Sequence, residues 1–227
     1  MKIPFAKQAY ESRSRPFISQ RLVNMYMEPG TDNSQTDAVL YGTPGFDLFA
    51  NLGSGRIWGM HVMGANLYVV SGNNVYVVSA SSGSTNLGSI GSVSNVVGMA
   101  DDGVHVIILL ESGAAYVATA STLAQITDGD YVSSSSVTVL DSFTIFTNQA
   151  SAVFQISALL DATSYDALDV ATVEGISGNL VRAIANRGEL WMFKEFSTEI
   201  YYNSGAGSFP FIPIGSATMQ RGCAAKR

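Results

Sequence analysis

From Arg56 onward, short apolar runs alternate with clusters of Gly, Asn, Asp and Ser. Leu67-Tyr68-Val69-Val70 and Val75-Tyr76-Val77-Val78 flank Ser71-Gly72-Asn73-Asn74, where Gly and Asn tolerate the positive φ of a tight hairpin. Run and break continue through 104–110, 115–118, 143–147, 153–156, 190–193 and 199–202. The runs are rich in β-branched and aromatic side chains, which pack well on a pleated surface. Apolar spacing of helical period is nearly absent; only 158–168 is ambiguous. Phe209-Pro210-Phe211-Ile212-Pro213-Ile214 reads as an outer edge strand, where proline has no ladder N–H to withhold.

The strands recur in a fixed layout. Openings near Arg56, Asn95, Ser136 and Asn179 give successive units of 39, 41 and 43 residues. Gly59-Met60 is followed by Gly64 and Leu67-Tyr68, Gly98-Met99 by Gly103 and Val106-Ile107, and Arg182-Ala183 by Gly188 and Leu190-Trp191. Four strands in about forty residues is the period of a propeller blade, and such a unit buries its faces only against its neighbours. The expected fold is therefore all-β and β-propeller-like, with about four four-stranded blades at 56–94, 95–135, 136–178 and 179–219. Residues 220–227 read as the start of a fifth. The four either close alone or form part of a larger ring; a β-sandwich with coincidental spacing is the alternative.

Residues 1–55 differ. They hold Pro4, Pro16, Pro29 and Pro44 and the polar stretch 31–37, with little periodicity. Short extended pieces are expected at 22–27 and 38–41, within an extended N-terminal arm that lies along its own body or a neighbour. The chain is 47% hydrophobic, but its apolar runs are far short of the ~20 residues a spanning helix needs. No membrane association and no secretion signal are expected. Charge is uneven. Lys2, Lys7, Arg13, Arg15 and Arg21 against Glu11 make residues 1–21 +4, while 7 basic and 17 acidic side chains make the remainder −10. An acidic body does not invite sequence-specific nucleic-acid binding, whereas a basic arm suits an acidic partner surface. Arg13, Arg15, Phe17, Arg21 and Tyr26 are the candidate partner-binding residues.

Little in the sequence points to catalysis. His61 and His105 are expected in strands, without partners at metal-ligand spacing. Cys223 is the only cysteine and has no base nearby in sequence. Asp101, Asp102, Asp128, Asp130, Asp161, Asp166 and Asp169 read as turn residues that bond their own backbone. Gly53-Ser54-Gly55 lacks the helix and Lys-Ser/Thr of a phosphate loop. No catalytic residue, metal or cofactor is expected. In the fourth unit, Ser197-Thr198-Glu199 lie between two apolar runs and are expected to organise the turn there, with Glu199 accepting from a neighbouring backbone or from Arg187.

Val23-Asn24-Met25-Tyr26, Leu40-Tyr41-Gly42-Thr43-Pro44-Gly45-Phe46, Phe196-Ser197-Thr198-Glu199-Ile200-Tyr201-Tyr202 and Gln220-Arg221-Gly222 together resemble the packaged-DNA stabilisation proteins of short-tailed bacteriophages. The resemblance runs over nearly the whole chain, although family members are usually longer. It implies a structural tail hub without enzymatic activity. Such a hub is made in the bacterial host cytoplasm and sits in the virion tail. It contacts the portal protein or adaptor ring, neighbouring copies of itself in a hexameric ring, and the tail needle or distal tail proteins. The alternative function is a tail-associated propeller that binds glycans or degrades polysaccharide.

Overall fold

The computed structural model describes residues 22–31, 38–53, 55–207 and 209–225. The chain divides into two compact units, Met1–Phe49 and Ala50–Arg227. In the first, β1 (Met25–Pro29) pairs antiparallel with β2 (Ala38–Gly42). Tyr26 lies opposite Tyr41, and their rings stack with centroids 5.4 Å apart. The Thr43 N–H donates to Asn24 O at 3.0 Å, closing the open end of the hairpin.

The second unit is four antiparallel four-stranded sheets, each a meander in chain order. Sheet 1 is β3 (Ile57–Met63), β4 (Asn66–Ser71), β5 (Asn74–Ser79) and β6 (Ser84–Ser89). Sheet 2 is β7 (Gly98–Asp101), β8 (Val106–Leu109), β9 (Ala115–Ala118) and β10 (Leu123–Gln125). Sheet 3 is β11 (Ser134–Leu140), β12 (Phe143–Asn148), β13 (Val153–Ala158) and β14 (Asp161–Thr172). Sheet 4 is β15 (Leu180–Asn186), β16 (Glu189–Lys194), β17 (Thr198–Asn203) and β18 (Phe211–Met219). No helix occurs among the described residues. The tight turns use the chemistry their geometry demands. Gly72 takes φ +57 between β4 and β5, and Arg187-Gly188 both take positive φ between β15 and β16, as a two-residue hairpin of matching twist requires.

Alternation in the strands aims one set of side chains forward and the other back, and successive sheets meet over continuous apolar cores. Tyr68, Val70, Val75 and Val77 of sheet 1 meet Val106, Ile108 and Ala118 of sheet 2. The opposite face of sheet 2, with Ile107, Leu109, Ala115 and Val117, meets Val137, Phe146 and Tyr165 of sheet 3. Ile145, Phe154 and Ile156 of sheet 3 then meet Leu190, Met192 and Tyr201 of sheet 4. The opening strands β3, β7, β11 and β15 pack on one another in that order, with no comparable packing between β15 and β3 among the described residues. This is the propeller-like series that the forty-residue period implied.

Polar side chains finish the inner edge. A strand paired on one side only leaves alternate N–H groups without ladder partners. On β15 the Ala183 N–H donates to Ser136 Oγ at 3.0 Å and the Ala185 N–H to Thr138 Oγ1 at 3.1 Å, both from β11 of the preceding sheet. Residues 220–225, where a fifth opening is expected, contain no strand. Cys223 N–H there donates to Lys194 O at 2.9 Å, as Leu180 N–H donates to Ser151 O ahead of sheet 4 and Ser134 N–H to Gly113 O ahead of sheet 3. The ambiguous stretch 158–168 is extended and falls largely in β14.

Candidate functional site

A cavity with a buried acid in its lining lies where sheet 4 is irregular. Glu199 pairs with Thr218 and Tyr201 with Pro213, so the single residue Ile200 faces the run 214–217 of β18. Pro213 removes a donor and β18 swings out as a wide bulge. Beneath the bulge is a cavity of about 390 Å³, lined by the end of β14, the connection through Glu174 and Gly175, and β17 and β18. Gly175 lies close against the acid: a Cβ on it would stand 2.9 Å from the Glu199 carboxylate, which would have to shift.

Glu199 is 5% exposed and Lys194 1% exposed. The Lys194 Nζ lies 3.9 Å from Glu199 Oε1, an ion pair too long for a direct hydrogen bond. The ammonium donates instead to the Val173 and Ile176 carbonyls, which leaves Glu199 Oε1 without a donor. Loss of hydration, with Glu199 and Glu174 nearby, pushes the Tyr201 hydroxyl up to about 12.

The three residues singled out in the fourth unit therefore have separate surroundings. Ser197 precedes β17 and its hydroxyl is buried without a partner. Thr198 opens β17, and its Oγ1 donates to Arg221 O at 2.8 Å, holding the last described segment. Glu199 faces Lys194 and the cavity, whereas Arg187 lies in the β15–β16 turn. Sequence reasoning missed Lys194, because a lysine ending an apolar run usually turns to solvent. Among the earlier candidates, Tyr26 is 49% exposed on β1; Arg13, Arg15, Phe17 and Arg21 lie outside the described residues.

A second polar group joins sheets 1 and 2. His61 Nε2 on β3 lies 2.6 Å from Asp101 Oδ2 on β7. The two are 40 residues apart, one more than the 39-residue step between these units, so His61 meets the residue after its counterpart Ala100. The expectation of strand placement needs correction for His105, which lies in the turn ahead of β8, where Asp102 accepts from its N–H and sits 2.9 Å from its Nδ1. Three other acids bond nearby backbone: Asp128 accepts from the Asp130 N–H, Asp161 from Thr163 and Asp166 from Leu168; Asp128 also accepts from the distant Tyr165 N–H. No grouping of three His, Cys, Asp or Glu side chains suited to a metal ion occurs among the described residues.

Burial opposes ionisation of Asp102, but the hydrogen bonds from His105 and Val104 outweigh it and hold the carboxyl below its usual range. A carboxyl depressed in the folded state stabilises above its unfolded pKa, and that contribution fades as pH falls through the folded value. Thermal melts followed by circular dichroism from pH ~6 to ~2 should therefore fall less steeply for Asp102→Asn than for the native chain. Parallel pH profiles would show that Asp102 does not carry this dependence.

The whole chain, residues 1–227, matches the phage-stabilisation family described as Bacteriophage P22 Gp10, beta-propeller. The chain belongs to this family. It is a structural phage protein of the packaged-DNA stabilisation type with a β-propeller fold. No curated protein matches it. Among solved structures it is similar to the computationally designed Ika4 protein, at 8% identity and a TM-score of 0.51, covering 70% of this chain and 99% of that one. It is also similar to human WBSCR16, at 9% identity and a TM-score of 0.50, covering 82% of this chain and 58% of that one. At these identities the likeness is one of fold.

The close approach at Gly222 gives the Gln220-Arg221-Gly222 motif a physical reading in this phage-stabilisation protein. A Cβ at Gly222 would stand 2.1 Å from the Glu195 carbonyl oxygen and 2.5 Å from Phe196 N. Only glycine lets this segment lie against the β16–β17 turn, where the Thr198 hydroxyl and the Lys194 carbonyl hold it.

Proposed function

We propose that the chain is a tail-hub component that docks beneath the portal, helps retain packaged DNA and carries the parts of the tail beyond it. The observation that carries this reading is membership of the phage-stabilisation family over residues 1–227. Its physical properties suit the role. Sheets joined by continuous apolar cores resist bending, because close-packed interiors have low compressibility. Asp102, Asp128 and Asp161 are engaged with nearby backbone N–H groups.

In this reading the basic arm is the docking element. The β1–β2 hairpin exposes Met25, Tyr26, Leu40 and Tyr41, and a two-stranded hairpin alone is only marginally stable in water. Lying on a partner would bury those side chains. Arg13, Arg15, Phe17 and Arg21 precede the hairpin and complete the contact with the portal or adaptor ring, or with neighbouring copies in a hexameric hub. Tail-needle or distal tail proteins would occupy other surfaces.

Portal rings mixed with the whole chain should carry it through gel filtration, and deletion of residues 1–21 should weaken that association at least about tenfold. Undiminished association of the deleted chain would remove the arm from the interface. Failure of the intact chain to associate with portal, adaptor or its own copies would defeat the hub assignment.

A further inference from the structure

The cavity under the β18 bulge has chemistry that the hub reading does not use. Its buried acid, Glu199, is 5% exposed, lines the cavity, and has an oxygen that accepts no hydrogen bond. A buried carboxylate with unused acceptor capacity is costly unless a donor reaches it. Lys194 offsets part of the charge from 3.9 Å but directs two of its three donors to the Val173 and Ile176 carbonyls. At the solvent edge stands a second acid, the exposed Glu174, and no Lys or Arg among the described residues lines the cavity. Tyr201, Phe211, Pro213 and Ile214 supply the apolar part of the walls, beside Thr172 and Thr218. Two carboxylates and a nearby ammonium make a poor site for a divalent metal, which prefers more oxygen ligands. They suit an organic cation on an aliphatic stem.

We propose that this cleft receives an arginine side chain presented by another protein chain. The stem lies along Tyr201, Phe211 and Pro213, and the guanidinium is shared between Glu174 at the mouth and Glu199 within. Arginine fits better than lysine because its five donors in a planar fork can serve two carboxylates at once, and its head is more weakly hydrated. The cavity, at about 390 Å³, exceeds the volume of one such side chain. This proposal does not depend on the hub reading, since it concerns a property of the isolated chain.

The test uses the full chain with isotope-labelled isoleucine methyl groups, titrated with Nα-acetyl-arginine methylamide. The uncharged control is the citrulline analogue, which has nearly the same shape. A single side chain should bind with a dissociation constant on the order of millimolar, shifting Ile200 and Ile214 methyl signals saturably, and the citrulline analogue should bind at least about tenfold more weakly. Glu174→Gln, a change at an exposed position, should weaken arginine binding severalfold with an unchanged melting temperature, and Glu199→Gln should abolish it. If Glu199→Gln does not fold, Glu174→Gln still decides. Equal binding of both analogues, no saturable shift, or unaltered binding by Glu174→Gln would overturn the proposal. Saturation of the same signals by calcium chloride at lower concentration would overturn it in favour of a metal site.

Discussion

Replacing Lys194 with methionine should lower the unfolding free energy by about 3–5 kcal/mol, the cost of stranding one member of a buried ion pair. The side chain is 1% exposed and its ammonium satisfies the Val173 and Ile176 carbonyls while facing Glu199. Methionine keeps the stem's volume but leaves those carbonyls unserved and Glu199 without a nearby cation. Glu199→Gln should cost less, because the lysine keeps its carbonyl partners. In the double variant Lys194→Met/Glu199→Gln the losses should be less than additive, since the charge left stranded by the first change is gone. Urea unfolding of all four proteins measures this cycle. A loss under about 1 kcal/mol for Lys194→Met would mean that Glu199 is hydrated through the cleft and needs no compensating cation.

The features legible in the sequence are those set by local rules repeated in series. Tyr68-Val69-Val70 and Val75-Tyr76-Val77-Val78 could be read as a hairpin because both strands alternate cleanly around Ser71-Gly72-Asn73-Asn74. The observed register, Tyr68 with Val77 and Val70 with Val75, keeps that alternation intact. Residues 158–168 resisted the same reading for a physical reason. Gln155 pairs with Val170 and Ser157 with Tyr165, so one residue of β13 faces four of β14, and the bulge scrambles the period of two by which a strand is recognised. The cleft was hidden for the same reason, since it is made by the equivalent irregularity in β18.

Side-chain partnerships were harder to see than strands. Glu199 was expected to accept from a neighbouring backbone or from Arg187, but Arg187 sits at a turn tip with φ +52 and Lys194 is the cation that faces the acid. Ser136 and Thr138 look like ordinary strand hydroxyls in sequence. Only the stacking of β15 on β11 shows that they cap the N–H groups of a neighbouring sheet, 47 residues away. Their 47-residue separation also differs from the 43-residue step between the openings of the third and fourth units, so the repeat length alone does not point to these pairs.

Phe154→Ala should be the most damaging apolar truncation, at about 3–5 kcal/mol, since it removes a buried aromatic ring and leaves a cavity that the stacked sheets cannot collapse to fill. Phe154 is 0% exposed in the core between sheets 3 and 4. Its ring meets Tyr201 and Phe209 edge-on, each with centroids 5.5 Å away, so the substitution also takes away two oriented aromatic contacts. Leu168→Ala is the matching control, because Leu168 is 85% exposed in the β14 bulge and its loss should lie within about 0.5 kcal/mol. The location of the damage is as informative as its size. When each sheet leans only on its neighbours, stability is a sum of local and nearest-neighbour contributions, and weakening one interface loosens the elements beside it first. Hydrogen exchange on Phe154→Ala should therefore accelerate in β16 and β17 well before it changes in β4 and β5. Uniform acceleration across all four sheets would mean that the stack opens as one cooperative body and that the nearest-neighbour description is wrong.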